Sequence, residues 1–434
     1  MTEMVEPLTA SVTVAGVNAR LRRRYAVDRW FRALGVSAIV AALTFLILLL
    51  GTIIGQGYTA FAQSQIRLAI TFDAAILDPD GRGDPAVLGT ADYGRLIRQS
   101  LETLFPDATE RAQRRELSRL MSPGADLELR GMLLADPSLM GRTEEIWLPT
   151  SSPVDQLVKG HTGRTAEEGG QFTDGELRRI DRLRSDGRLA ARFNKWLFTQ
   201  GDSRQPELAG LAGAVVGSFY SLLVTVLLSF PLGVAAAVYL EEFARQSRWT
   251  DIVEVNINNL AAVPSIVFGL LGLEIFLNVL GLPRSAPLVG GLALTLVSLP
   301  TIIIAARVAL KAVPPWVREA ALALGASRLQ MVTHHVLPLA MPGILTGTII
   351  GMARAVGETA PLLMIGMVAF VVNVPATPVD PATALPVQIY LWAASPERGF
   401  VERTSAAIIV LLCFLAVMNA AAIYLRKRYE RRWG

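Results

Sequence analysis

Two charged residues stand inside a stretch that is otherwise fit only for lipid. Gly351 to Gly366 reads GMARAVGETAPLLMIG, and Arg354 and Glu358 are its only ionisable side chains. A charge at mid-bilayer costs at least about 2.5–3.5 kcal/mol on the mildest scale, so such a residue faces the protein interior or a water-filled path. The i,i+4 spacing puts both on one face of a helix, where they can pair. The pair can be a salt bridge that fixes helix rotation. Alternatively, Arg354 contacts a transported anion, because a guanidinium presents donors matched to phosphate oxygens. Glu358 would then orient Arg354 and keep it from holding the anion too tightly, with Gly351 and Gly357 keeping that face thin.

A second constellation, EAALALGASRLQMVTHHVLP (Glu319 to Pro338), lies between two hydrophobic segments. Arg318, Glu319, Arg328, His334 and His335 punctuate it, so it cannot itself span a membrane. Ala320, Ala321 and Ala323 favour helix. Gly325 can take the left-handed conformation that ends a first short helix. A second helix is expected from about Ser327 to just before Pro338, since the residue before a proline disfavours helix. One reading is an amphipathic loop between spans. The other is a mechanical coupler, because a short helix docked in a groove of a soluble partner moves with it as one body.

Other chemistry is excluded by composition. Cys413 is the single cysteine and lies in an apolar run, so neither an intrachain disulfide nor a cysteine zinc site is available. His334 and His335 are adjacent and point in different directions on a helix, a poor metal pair. No G-x-x-x-x-G-K-[ST] sequence is present, so the chain does not hydrolyse ATP itself. The net charge of +4 conceals an uneven distribution. Between Gln56 and Gly210 stand 20 Lys+Arg and 23 Asp+Glu, with no catalytic constellation among them. The remaining positive excess sits at the termini and short loops, which speaks for membrane topology and against nucleic acid.

These residues must be positioned by membrane helices. The expected order is a tail over residues 1–32, a first transmembrane helix over 33–55, and an insert of mixed or helical structure over 56–210. A five-helix domain over 211–425 follows, with an inner loop at 312–338 and a basic tail over 426–434. The later spans are expected near Ala214–Tyr239, Ile257–Leu280, Leu288–Ala306, Gly343–Phe370 and Ser405–Tyr424. Within the insert, Leu177 to Phe198 shows helical spacing interrupted at Gly187. Arginine clusters before the first span (Arg20 to Arg32) and after the last (Arg426 to Arg432) put both termini in the cytoplasm and the insert outside.

Several stretches resemble one family. Glu319-Ala320-Ala321, Gly325 and Leu337-Pro338 have the spacing of the loop by which type I ABC-importer permeases engage their ATPase. His335 stands where that family is usually apolar. AGAVVGSFYS…FPLGVAAAVYLEEFA (Ala212 to Ala244), AVPSIVFGLLG (Ala262 to Gly272), RAVGETAPLLMIG (Arg354 to Gly366) and LPVQIYLWAASP (Leu385 to Pro396) are similar to the PstA-type permease subunits of bacterial phosphate ABC importers. The resemblance covers the chain from about Pro206 onward. It implies an all-α polytopic protein of the bacterial inner membrane, with six transmembrane helices, a type I permease core and a soluble extracytoplasmic insert after the first helix. It further implies a sister permease, two ATPase subunits that use ATP, and a periplasmic phosphate-binding protein, with no cofactor bound by this chain. Arg354, Glu358 and Arg307 are assigned to the substrate path. A permease for another oxyanion such as sulfate or molybdate remains open, as does a membrane-anchored sensor or enzyme working through the insert.

Overall fold

The computed structural model describes residues 14–79, 81, 83–164, 171–368 and 370–429. The first part of the N-terminal tail and the end of the basic tail, including Arg431 and Arg432, lie outside the described residues. The chain divides into two units, Met1–Gly55 and Gln56–Gly434. The described part of the first unit is the helix α1 (Val14–Gly57), which ends just inside the second. At 44 residues it spans about 66 Å, twice a hydrocarbon core, so the arginine-rich segment is a helical extension of the span.

The second unit opens with strand β1 (Ala62–Thr71). It continues through helices α2 (Tyr93–Leu104) and α3 (Gly124–Ala135), strand β2 (Thr143–Pro149), helices α4 (Ser152–Val158) and α5 (Asp174–Ser185), strand β3 (Leu189–Phe193) and the short helix α6 (Lys195–Thr199). The three strands form an antiparallel sheet in the order β2-β1-β3, with Ile66 opposite both Leu148 and Leu189. The chain is therefore mostly helical but not all-α. In β1, Ser64, Ile66, Leu68 and Ile70 are buried, while Gln65, Arg67, Ala69 and Thr71 take the opposite face. That period of two is the signature of a half-buried strand. The buried face packs on Leu96, Ile97 and Leu101 of α2 and Leu129 and Leu133 of α3. The expected helical run Leu177–Phe198 also divides. Gly187, at φ +65, ends α5, and the chain emerges as β3 because the open edge of β1 supplies its hydrogen bonds.

Beyond the insert come α7 (Ala212–Val238), α8 (Arg248–Ala262), α9 (Ser265–Gly272), α10 (Pro287–Lys311), α11 (Pro315–Ala323), α12 (Leu337–Gly357), α13 (Ala360–Met364), α14 (Leu385–Ala393) and α15 (Gly399–Tyr429). Among the described residues, five helical segments are long and apolar enough to cross a membrane, or six if the bent pair beginning with α8 counts as one. Two expected spans differ from straight helices. The third breaks by 99° at Val263 and Pro264, both in extended conformation. The fifth stops at Gly357, because Glu358 leaves the helix at ψ 115 and α13 is only a short turn.

The bundle closes on small residues. An added Cβ on Gly347 of α12 would lie 2.1 Å from Ala305 Cβ of α10, and one on Gly291 of α10 would lie 2.6 Å from the Ser221 carbonyl of α7. Such approaches let the helices pack backbone to backbone, as membrane helix interfaces require.

Candidate functional site

The level of Arg354 follows from which residues of α10 and α12 touch. Gly343 meets Ala309, Gly347 meets Ala305, and Gly351 meets Thr301 and Ile302, so the helices run antiparallel in steady register. Extending that register places Arg354 near Ser298, the middle of α10. The charged pair is therefore at mid-span, and it stands where α12 breaks. Arg354 Nε lies 3.4 Å from Glu358 Oε1. Because Glu358 is already non-helical, the pair closes the end of a helix rather than lying along one. Arg354 does not face the interior of this chain. Ile344, Gly347, Thr348, Gly351 and Ala355 are buried, whereas the Arg354 side chain is 53% exposed and Ile350 beside it is 62% exposed. The small residues that seat α12 are on the other side of the helix. Gly351 serves the contact with α10, and Gly357 faces open space, so neither thins the Arg354 face.

Arg307 is not brought to this pair. It lies about nine residues away in the α10–α12 register, roughly 14 Å along the axis. Its Nε pairs with Glu241 and its Nη2 with Glu254 at 2.8 Å, while Lys311 approaches Glu241 at 3.6 Å. Two carboxylates already occupy the guanidinium, so Arg307 ties α10 to the end of α7 and to α8. Glu241 and Glu242 were legible in the sequence only as the end of a span; their partners are 66 and 76 residues away.

The inner loop is a helical hairpin. Gly325 sits at φ +86, its N–H donates to the Leu322 carbonyl, and the Ala326 N–H donates back to Ala321. This double closure, typical of a glycine-terminated helix, ends α11 as expected. Ser327 then caps the next turn through a capping box with Gln330. The second helix does not stop before Pro338. Met331–Val336 forms a wide π turn that runs directly into α12, with Leu337 and Pro338 in its first turn. The wider turn relieves the clash a proline ring otherwise makes with the preceding turn.

Ala321, Met331, Val332 and Val336 bury the hairpin against Leu310 and Val313. Arg318 anchors it further, with Nη2 and Nε on Glu242 at 2.7 and 3.1 Å and donations to the Leu310 and Val313 carbonyls. The outward side carries Glu319, Ala320 and the exposed apolar residues Trp316, Leu324 and Leu329. A shallow apolar cavity of about 390 Å³ there is lined by Trp316, Ala320, Leu324, His334, His335 and Pro338.

A third cluster joins the insert to α15. Lys159 Nζ lies 2.7 Å from Asp155 Oδ2 and 2.9 Å from Glu402 Oε1, and Gln156 donates to Glu402 at 2.6 Å. All three charged side chains are at most 5% exposed. Asp155 also accepts the Ser64 N–H of β1 at 2.7 Å. Arg403 and Glu207 are buried in the same cluster, and Ser122 donates to Glu207 at 3.0 Å. Burial pushes the Glu207 carboxyl above the usual glutamate range, against smaller opposing effects of its hydrogen bonds and Arg403. Nothing in local sequence marks this cluster, since its members are spread from residue 155 to 403.

Residues 229–434 match the family model described as the inner membrane component of binding-protein-dependent transport systems. With the several apolar helices, two of the expected spans among them broken, this defines the class: a multi-pass permease of the inner membrane, a transport subunit rather than an enzyme. Within that class the chain belongs to the PstA family of phosphate transport permeases. It is 35% identical over 223 residues to phosphate transport system permease protein PstA 1 of Mycobacterium tuberculosis H37Rv, covering 51% of this chain and 71% of that one. It is 33% identical over 227 residues to PstA of Haemophilus influenzae, covering 51% and 78%. An inward-facing structure of the MetNI methionine ABC transporter is similar at 19% identity, with a TM-score of 0.40, over 51% of this chain and 95% of that one. Residues 18–168 match a separate model, a domain of unknown function (DUF3333).

Proposed function

We propose that this chain is one half of the membrane pathway of an ATP-driven importer of inorganic phosphate. The observation that carries the reading is the Arg354–Glu358 pair at a helix break level with the middle of α10, with the Arg354 side chain on a face this chain leaves uncovered. A guanidinium left against lipid costs several kcal/mol, so protein or water must cover that face. A sister permease apposed there encloses a path between two chains, with Arg354 projecting into it. Irregular backbone at membrane depth is tolerated where it lines such a path, and broken helices at the midplane commonly form transport sites.

In this reading Arg354 offers its terminal N–H groups to the phosphate oxygens, while Glu358 competes for the same charge and keeps release fast. The inner hairpin docks its Glu319–Leu324 side onto a separate ATPase, and two such subunits hydrolyse ATP. Closure of the ATPases moves the hairpin, and Arg318 carries that movement into the end of α7 through Glu242. Alternating access then exposes Arg354 first to a periplasmic phosphate-binding protein and next to the cytoplasm. The basic termini lie in the cytoplasm and the insert, as a soluble domain, outside. The PstA relatives support phosphate as the anion. The test is ATP-dependent phosphate uptake into vesicles holding the assembled complex, repeated with sulfate- and molybdate-binding proteins in place of the phosphate one. Uptake only with the phosphate-binding protein supports the reading; equal uptake of another oxyanion overturns the substrate.

A further inference from the structure

The insert carries an aromatic ladder that the transport reading does not use. Phe61 stacks on Phe198 at 5.9 Å, and Phe198 stacks on Phe193 at 5.6 Å with the rings nearly parallel. Phe193 and Phe198 remain 63% and 46% exposed. Tyr58 is also exposed and stands three residues before Phe61 in a 3₁₀ turn, a spacing that aligns side chains on one side. Lys195 is exposed and shares a face of α6 with Phe198 at i,i+3. An isolated soluble domain has no reason to present three large rings in a row beside a lysine.

The ladder lies where the transmembrane helices end. The Leu211 N–H donates to the Leu197 carbonyl at 2.7 Å and the Ala212 N–H to the Gln200 carbonyl at 3.1 Å, so α6 abuts the first turn of α7. Gly57 lies against the backbone of Ser405 and Ala406, where α15 turns from polar to apolar. Phe61 belongs to the apolar cluster that continues into α15 through Phe400, Ala407 and Val410. The buried Asp155–Lys159–Glu402 cluster holds the insert to the same end of α15. The ladder thus continues the exposed helix surfaces at the height where they leave the hydrocarbon.

We propose that Tyr58, Phe193, Lys195 and Phe198 form a foot by which the insert rests in the headgroup zone of the adjoining lipid leaflet. The amphipathic Tyr58 ring settles at that depth, and the Phe193 and Phe198 rings enter the acyl boundary just below it, as the apolar side of an interfacial segment does. The Lys195 ammonium meets the phosphodiester groups of the lipid while its stem follows the rings. The insert is then held in one orientation over the end of the transmembrane helices by two attachments, a buried ionic cluster on one side and a lipid contact on the other. The proposal needs only that α7 and α15 span the bilayer, and holds whichever anion is carried.

The test uses the full chain with its partners in lipid bilayers and with Cys413 replaced by Ser. Nitroxide labels are placed through single cysteines at positions 193 and 198, with Ser118, an exposed residue of the insert away from the ladder, as control. Collision with oxygen, which enriches in lipid, is compared with collision with a water-soluble nickel chelate. The expected result is an oxygen-to-chelate ratio above unity at 193 and 198 and below unity at 118. Chelate access at 193 and 198 equal to that at 118 overturns the proposal by showing water there. Exclusion of both reagents overturns it equally, by showing another protein surface there.

Discussion

Replacing Lys159 by Met removes the one cation that bridges Asp155 and Glu402 at 2.7 and 2.9 Å. Methionine fills similar volume, so the loss is electrostatic. Two carboxylates with side chains at most 4% exposed are left with Arg403 as the one buried cation beside them, an excess of one negative charge. Breaking a buried pair in this way costs about 3–5 kcal/mol, chiefly the penalty of an uncompensated buried charge. At 1.36 kcal/mol per decade, the equilibrium for opening the insert away from α15 rises roughly 10²- to 10⁴-fold. Ser64 is the reporter, since its N–H donates to Asp155 and belongs to the central strand. Hydrogen exchange of the peptide containing Ser64, measured on the intact complex, should accelerate by that factor. A double variant, Lys159→Met with Glu402→Gln, removes one charge of each sign and keeps Asp155 as the acceptor for Ser64. It should recover most of the protection, because one charge of each sign is gone and Asp155 keeps the buried Arg403 as its counter-charge. If Lys159→Met exchanges within about threefold of the parent, or the double variant is worse than the single one, the electrostatic account of the cluster is wrong.

Three other outcomes are expected. Glu207 has its folded pKa raised by burial, so its contribution is fully present below the unfolded value and is lost as pH rises through the folded one. Acidification from neutrality should therefore raise protection in the insert beyond the intrinsic slowing of base-catalysed amide exchange, and Glu207→Gln should be more protected than the parent at neutral pH with a flatter pH dependence. Gly325→Val places a β-branched residue at φ +86, at a cost of at least about 1–2 kcal/mol, and should lower phosphate moved per ATP hydrolysed while the chain still assembles. Arg318→Met strips Glu242 of its bidentate partner and should reduce the stimulation of ATP hydrolysis by the binding protein more than basal hydrolysis; equal effects on both would count against a role in transmission.

The helices were readable because their signals are local. Apolar runs longer than twenty residues, the Ala-rich start of the hairpin and the glycine that ends it each act over a few positions, and α7, α10 and Gly325 lie where those signals put them. The sheet was readable in part. Ile66, Leu68 and Ile70 alternate with Gln65, Arg67 and Ala69, but the short β3 owes its state to pairing with β1 and not to its own residues. Breaks were harder. Pro338 reads as a stop in isolation, yet the π turn before it lets the helix continue, whereas Gly357 and Glu358 end a helix in a sequence that reads as an unbroken span. Charge pairing across the chain was not readable at all. Arg307 looks like a free cation near a span end until Glu241 and Glu254 fold onto it, and Lys159 finds Glu402 across 243 residues.

The central claim is that Arg354 works on the anion and is not merely a fixture of helix rotation. Phosphate uptake driven by ATP should be measured in vesicles carrying the assembled complex with Arg354→Gln, alongside binding-protein-stimulated ATP hydrolysis as a check on assembly. Loss of a charge-assisted contact of about 1.5–3 kcal/mol predicts uptake lowered roughly 10- to 100-fold with stimulated hydrolysis retained. Uptake at the parental rate would contradict the claim.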